Sequence, residues 1–112
     1  MKHSAGRGDI FWVDLDPSLG HEQQGRRPCL VLTTEKFNGL TGVPVVLPIT
    51  TRGLFARKNG FSAELNGGKI QGCVRCDQPS SVDLEIRNAQ YVETVSEDFM
   101  EDVLARVRAL FE

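Results

Sequence analysis

The sequence predicts a mainly β (α+β) protein built as a small twisted β-barrel or strongly bent sheet with a C-terminal α-helix. About six short runs rich in β-branched and aromatic residues alternate with Gly- and Pro-containing turns, and only the C-terminal segment has helical periodicity. A chain of 112 residues supports one modest core. We therefore expect residues 1–112 to form a single domain, with residues 1–7 as a flexible N-terminal tail.

The first half of the chain contains three predicted strands. Residues 9–15 are apolar on both faces at their centre, which is typical of a central strand. The second strand is expected at residues 29–33, after a long loop at 18–28 that is dense in hydrogen-bonding side chains. A linker containing residues 37–42 leads to the most apolar run, residues 43–50, which we expect to be a strand with interrupted pairing at its ends because it contains two prolines.

Further strands are predicted in the second half. Residues 52–60 contain three cations and two glycines and read as a hairpin arm, which leads into a strand at 61–65 closed by the turn 66–68. A short run at 82–86 and a strand at 90–94 follow. They complete the predicted sheet before the helix.

The helix is predicted over residues 97–110, with Ser96 or Thr94 as its N-cap. Acidic residues in its first turn and arginines near its end complement the helix dipole. One apolar stripe at helical spacing should pack on the sheet. It consists of Phe99, Val103, Val107 and Leu110.

The strand expected near residues 72–77 carries Arg75 and Asp77 two positions apart. Side chains two apart in a strand share a face, with their Cα atoms roughly 6.6 Å apart. We expect both to lie on a wet face, opposite an apolar face formed by Ile70, Val74 and Cys76. The pair is either an ordinary ion pair or a site at which both groups reach one phosphate, and the segment alone leaves both readings open.

The net charge of −2 is unevenly distributed along the chain. Residues 1–76 hold ten Lys or Arg and six Asp or Glu, whereas residues 77–112 hold three and nine. The first segment therefore carries +4 and the second −6. A basic working surface is compatible with a polyanionic ligand.

The three cysteines, Cys29, Cys73 and Cys76, are an odd number without an apolar N-terminal signal segment, which favours free thiols. On a strand, Cys73 and Cys76 point to opposite faces, and the sequence offers no second ligand pair with zinc-site spacing. We expect no metal, no cofactor, no membrane contact and a cytoplasmic protein.

No nucleophile elbow, phosphate-binding glycine loop or dinucleotide fingerprint is present. The candidate catalytic side chains are therefore a small group of polar and charged residues. Taken singly, His21 is explained as a solvated loop residue and Arg27 as a cap on the end of the barrel. The set comprises His21, Arg27, Thr50, Thr51, Arg75 and Asp77.

Several motifs in order resemble the MazF/PemK family of toxin endoribonucleases, and most closely its PemK (Kid) branch. The resemblance implies a dimeric SH3-like barrel that cleaves single-stranded RNA, including mRNA, inhibits translation and growth, and is neutralised by a cognate antitoxin. The matching segments are residues 8–17, 20–25, 27–28, 48–50, 55–57 and 74–78.

The resemblance also implies site residues. In the PemK branch the catalytic residues fall on Arg75, Asp77 and His21, and in the MazF branch on Arg27 and Thr50, so the assignment of acid and base stays open. Residue types at Asn59, Gln71 and Cys73 depart from the branch pattern, which affects base preference. The substrate-binding residues implied are Gln23, Gln24, Thr51, Phe55, Asn59, Phe61, Gln71, Cys73 and Gln78.

The reaction agrees with these residue types. Asp77 suits the base that deprotonates a ribose 2′-hydroxyl, and Arg75 suits stabilisation of the phosphoryl charge. His21, which titrates near neutrality, suits either the acid or a group that holds the phosphate. Two other classes remain: a non-catalytic toxin of this architecture that poisons a protein such as gyrase, as the CcdB toxins do, and a barrel that binds RNA without cutting it.

The expected partners are single-stranded RNA, a second copy of the chain and an antitoxin with an acidic, disordered tail. Loops at 21–27 and 52–61 should flank the groove, and the tail should place carboxylates near Arg27 and Arg75 and an apolar side chain against Phe55 or Leu54.

Overall fold

The computed structural model describes residues 4–15, 25–50 and 60–112. These residues form seven strands, two α-helices and one 3₁₀ turn. In chain order they are β1 (Asp9–Asp14), β2 (Arg26–Val31), α1 (Glu35–Thr41), β3 (Val45–Thr50), β4 (Ser62–Leu65), β5 (Gly72–Arg75), β6 (Ser80–Ser81), β7 (Gln90–Thr94), α2 (Glu97–Arg108) and the 3₁₀ turn Ala109–Phe111.

All strand pairs are antiparallel, in the order β4-β5-β3-β2-β1-β7. The outer edge of β3 is shared, because Val45 and Val46 pair with β6 while Ile49 and Thr50 pair with β5. Within the described residues the sheet does not close, and β4 and β7 are its edges. The predicted mainly β class with a terminal helix is confirmed, in the form of an open antiparallel sheet.

Each face of the sheet has its own apolar core, because the strands between β1 and β5 are buried on both sides. One core lies under α2 and the other under the segment that joins β6 to β7. The first includes Ile10, Leu30, Leu47, Ile49, Val74, Met100, Val103 and Val107. The second includes Phe11, Val13, Cys29, Val31, Val46, Val82 and Leu84.

The predicted terminal helix is confirmed with a small change at its end. Ser96 is the N-cap, and its hydroxyl accepts a hydrogen bond from the backbone N–H of Phe99 at 3.2 Å. The α-helix ends at Arg108, so Leu110 lies in the 3₁₀ turn. The guanidinium of Arg106 donates to the carbonyl of Gly60 at 2.7 Å, which ties the helix to the start of β4.

Helix α1 occupies the segment that was predicted to be a linker, so that prediction is wrong. Helix propensity gave little signal, since seven residues including an Asn and a Gly make a poor isolated helix. Tertiary contacts stabilise it instead: the buried Asn38 amide donates to the carbonyls of Ala5 and Thr33 at 2.9 and 3.1 Å. Gly42 ends the helix in the left-handed conformation.

Other boundaries also differ from the prediction. Strand β2 begins at Arg26, three residues early, because Arg26 pairs with Asp14 across the sheet. The run at 82–86 is not a strand; residues 84–88 form a turn in which the Asp83 carboxylate accepts from two backbone N–H groups. In the part of the expected tail that the structure describes, Ser4 is exposed and Ala5 is buried.

Glu93 on the edge strand β7 holds the turn that precedes β5. Its two carboxylate oxygens accept hydrogen bonds from the backbone N–H groups of Lys69 and Ile70 at 3.1 and 2.9 Å. The contact draws the start of β5 toward the edge strand β7 and so reduces the gap between the two edges of the sheet. Among the described residues, no helix is long and apolar enough to span a bilayer.

Gly72 is required where β5 approaches β3. Its φ is +148°, and a Cβ there would lie 3.0 Å from the backbone oxygen of Thr50. Gly72→Ala should therefore lower the free energy of unfolding by about 2 kcal/mol or more, measured by urea denaturation. Gly39 in α1 is the control, since a Cβ there meets nothing within 4 Å. Gly39→Ala should leave stability unchanged or raise it by up to about 1 kcal/mol; equal losses in both variants would contradict the argument.

Candidate active site

A row of residues crosses four strands on the face of the sheet opposite α2. Thr50 of β3 pairs with Cys73 of β5, and Cys73 pairs with Glu64 of β4. Continuing the register that pairs Cys29 with Pro48 places Arg27 of β2 opposite Thr50. Directly opposite residues share a face, so the strand pairing brings Arg27 and Thr50 together although 22 intervening residues separate them in the sequence.

Arg75 and Asp77 lie further along the same face and form a bidentate ion pair. The Arg75 Nε donates to Asp77 Oδ1 at 2.9 Å, and Nη2 donates to Oδ2 at 2.8 Å. The shared face is confirmed, but the expected wet environment is wrong: the two side chains are only 13% and 23% exposed. The hydrogen bonds to Asp77 raise the pKa of Arg75 above its usual value, against a smaller lowering by burial. Arg75 is therefore a fixed cation.

Ser62 is a neighbour that sequence reasoning missed. It pairs directly with Arg75 from β4 and is 6% exposed. Its Oγ is buried and has no hydrogen-bond partner among the described groups. No local signal in the sequence identifies it, because its place beside Arg75 follows only from the register of β4 on β5.

A cavity of about 390 Å³ opens at the Arg27 and Thr50 end of the row. Among the described residues, three cationic residues and no acidic residue line it, so these residues make a potential that favours anions. The lining residues are Trp12, Arg26, Arg27, Pro28, Ile49, Thr50, Lys69, Ile70 and Gln71.

Arg26 is partly neutralised from outside this cavity. Its guanidinium donates to the Asp14 carboxylate at 2.7 Å and to the Gln90 side-chain oxygen at 2.9 Å. Hydrogen bonds from Asn88 and then Arg26 lower the pKa of Asp14, so the carboxylate stays ionised at neutral pH. These contacts fix the orientation of Arg26 at the rim.

Four more predicted substrate contacts lie in β5 or beside β4 and β5. Gln71 is exposed and lines the cavity, while Phe61 and Gln78 are half-buried at the ends of the strands. Cys73 is fully buried, which argues against the predicted contact between its side chain and a substrate. Its place in the row explains the burial, since it sits between Thr50 and Glu64.

The remaining predicted site residues belong to segments 16–24 and 51–59, outside the described residues. The structure thus brings together Arg27, Thr50, Arg75 and Asp77 and does not test the others. In the parts of the chain that are described, no group of three or more His, Cys, Asp or Glu could hold a metal ion. The predicted residues outside the description are His21, Gln23, Gln24, Thr51, Phe55 and Asn59.

The sequence matches the family described as "PemK-like, MazF-like toxin of type II toxin-antitoxin system" over residues 6–111. It is 46% identical over 111 residues to endoribonuclease PemK of Escherichia coli, covering 97% of this chain and 84% of that protein. It is 43% identical over 109 residues to endoribonuclease toxin ChpB of Escherichia coli K12, covering 95% of this chain and 93% of that protein.

Solved structures agree with this match. MazF of Deinococcus radiodurans (form I) superposes with a TM-score of 0.87 at 31% identity and covers 97% of both chains. A chain of the MazE–MazF complex of the same organism (form III) superposes with a TM-score of 0.82 at 28% identity, again over 97% of each chain.

The thiols should be unreactive while the protein is folded. Burial raises the pKa of Cys29 to about 12 and, as its largest effect, that of Cys76 to about 11, from a usual 9.0. Only the thiolate is alkylated, so at pH 8 iodoacetamide should modify both at least ~100-fold more slowly in native than in urea-unfolded protein, as mass spectrometry can measure. Rapid native labelling of either thiol would contradict this assignment.

Proposed function

Because the chain belongs to the PemK/MazF family of type II toxin–antitoxin toxins and is an endoribonuclease, we propose that it cleaves single-stranded RNA by attack of a ribose 2′-hydroxyl. The observation that supports this chemistry best is the pairing of Arg75 with Asp77 on the face that also carries Thr50 and Arg27. In the reaction the 2′-oxygen bonds to phosphorus and the bond from phosphorus to the 5′-oxygen breaks. The products are a 2′,3′-cyclic phosphate and a 5′-hydroxyl.

Asp77 is the proposed base that takes the 2′-hydroxyl proton. Both of its oxygens accept from Arg75, but a carboxylate has about four lone-pair sites, so capacity for a further proton donor remains. The bidentate contact fixes the plane of the carboxylate. A base that is held in one orientation does not have to be ordered during the reaction.

Arg75 is the proposed stabiliser of the charge that develops on the phosphoryl oxygens. Its raised pKa makes it a poor proton donor, whereas a fixed guanidinium in a site of low exposure is an effective electrostatic group. Arg27 and Thr50, at the cavity end of the row, are suited to hold the phosphate. The proton for the 5′-oxygen is assigned to His21, the candidate that titrates near neutral pH.

The proposed substrate is mRNA, whose cleavage would stop translation and growth, and the proposed regulator is a cognate antitoxin. The solved MazE–MazF complex of Deinococcus radiodurans supports such a partner for this fold. An acidic tail could lie along the same face, because the cavity cations that bind phosphate also bind carboxylates. We further propose a homodimer in which loops 21–27 and 52–61 flank the groove. The gyrase-poisoning alternative is not retained, because the named relatives are endoribonucleases.

The purified protein should cleave a mixed-sequence single-stranded RNA in the presence of EDTA, because Asp77, Arg75 and His21 supply base, cation and acid. Mass spectrometry of the fragments should show 2′,3′-cyclic phosphate and 5′-hydroxyl ends. Replacing the scissile ribose by deoxyribose should abolish cutting at that position alone, since the nucleophile is removed. Cleavage that requires added Mg²⁺, or that survives the deoxy substitution, would overturn the mechanism.

Asp77→Asn and Arg75→Ala should each reduce the cleavage rate by ~100-fold or more, since each removes an interaction made in the transition state. Asp102→Asn is the matched control, because it breaks a comparable ion pair, with Arg106 at 3.2 Å, on the helix side of the sheet. The control should cleave at the normal rate. If the melting temperature of the Asp77 and Arg75 variants collapses so far that loss of folded protein accounts for the lost activity, the pair is structural.

A further inference from the structure

The cavity beside the proposed active site contains residues that the mechanism does not use. Trp12, Arg26 and Lys69 line it together with Thr50, which belongs to the catalytic face. Trp12 is 37% exposed, an unusual position for the largest side chain of a central strand. Trp12 therefore does not serve as a core residue, and the proposed reaction gives it no role.

The position of Trp12 follows from the register. It pairs with Pro28 of β2, and continuing the β2–β3 register places Ile49 opposite Pro28. Three apolar residues therefore follow one another across three strands, on the same face as Ile10 and Leu30, and form a floor about 10 Å long, given a strand spacing of 4.7–4.9 Å. The cavity above this floor meets the catalytic face at Arg27 and Thr50. An aromatic ring at one end of an open apolar floor is suited to stacking against a flat ligand.

Lys69 supplies a cation to the same cavity. Glu93 accepts hydrogen bonds from the Lys69 and Ile70 N–H groups at 3.1 and 2.9 Å, so the backbone that carries the ammonium group is held in place. The Glu93 carboxylate is not among the lining groups of the cavity. The Lys69 side chain thus contributes a positive charge, and no carboxylate from residues 4–15, 25–50 or 60–112 lines the same cavity.

We propose that this cavity is a subsite for one unpaired nucleotide next to the cleavage position, with the base against Trp12 and the phosphate at Lys69. The proposal rests on the proposed function and extends it, because it names residues that bind substrate without taking part in bond cleavage. A flat base and an adjacent phosphate match an aromatic ring and a cation better than an aliphatic or acidic ligand does. The cavity volume of about 390 Å³ lies within the usual range for small-ligand sites.

Stacking is tested by an abasic scan of an oligonucleotide whose scissile ribose is replaced by deoxyribose. Binding of the labelled strand is measured by fluorescence anisotropy for the wild type, Trp12→Leu, Trp12→Phe and the exposed-aromatic control Phe111→Leu. Trp12→Leu should weaken binding roughly 5- to 150-fold, and Trp12→Phe and Phe111→Leu much less. At one position only, loss of the base should weaken binding to the wild type but not to Trp12→Leu.

The phosphate contact is tested by the salt dependence of the same binding. Lys69→Gln should reduce the slope of log affinity against log salt concentration by about 0.7, the value for one phosphate contact on a single strand. Lys36→Gln is the matched control, because Lys36 is exposed on α1 and is not a cavity residue. An unchanged slope in Lys69→Gln would overturn the phosphate assignment.

The chain has a single tryptophan, so its fluorescence reports directly on this cavity. The unlabelled oligonucleotide should change the emission of Trp12 with the same midpoint as the anisotropy. If the protein cleaves RNA but no abasic position couples to Trp12, the subsite is wrong and the proposed function stands. If coupling is found without cleavage of any RNA, the subsite stands and the proposed function fails. If Trp12→Leu weakens only an acidic peptide, the cavity is a protein-docking site and the proposal is overturned.

Discussion

Strand β3 is the constraint on which the rest of the structure depends. Its inner edge pairs with β2, while its outer edge is divided between β6 at Val45 and Val46 and β5 at Ile49 and Thr50. Pro48 lies between the two outer contacts and has no N–H to donate. The six residues of this strand therefore join both halves of the sheet, and they carry Thr50 to the point where the two halves meet.

The candidate site has its geometry because of that junction. Arg27 comes from one half of the sheet and Arg75 with Asp77 from the other, and both reach the same face only through the pairing of Thr50 with Cys73. Close approach of the two strands there depends on Gly72, where a Cβ would crowd the backbone of Thr50. The low exposure of the ion pair has the same origin, since Arg75 is enclosed by neighbouring strands rather than presented at an edge. A structural ion pair and a positioned catalytic pair are thus not exclusive here: the bidentate contact that stabilises the end of β5 also fixes the orientation of the two groups.

One face of the sheet packs against helix α2, and the other carries the candidate site. Helix α2, with its acidic first turn, covers one core and packs through Met100, Val103 and Val107. The polar row lies on the opposite face, and the cationic cavity meets it at Arg27 and Thr50. This separation explains how a chain with a net charge of −2 can present a basic surface to a polyanion. The helix carries four acidic residues and two arginines, so a net charge of −2 lies on the face opposite the row. That charge opposes phosphate binding at the row only weakly in physiological salt, where the screening length is about 8 Å.

Local patterns in the sequence determined the elements whose causes are themselves local. The strand at 9–15, the strand at 90–94 and the capped terminal helix were predictable because β-propensity, alternation, an N-cap serine and an apolar stripe each act over a few residues. The placement of Arg75 and Asp77 on one face follows in the same way, from the two-residue period of a strand.

Tertiary structure alone decided the rest. Helix α1 depends on buried hydrogen bonds, such as the one from Asn38 to Ala5, which is distant in the chain. The burial of Cys73, the position of Ser62 beside Arg75 and the exposure of Trp12 all depend on strand register. Register is set by which distant strands pair, a property that no single segment of the sequence contains.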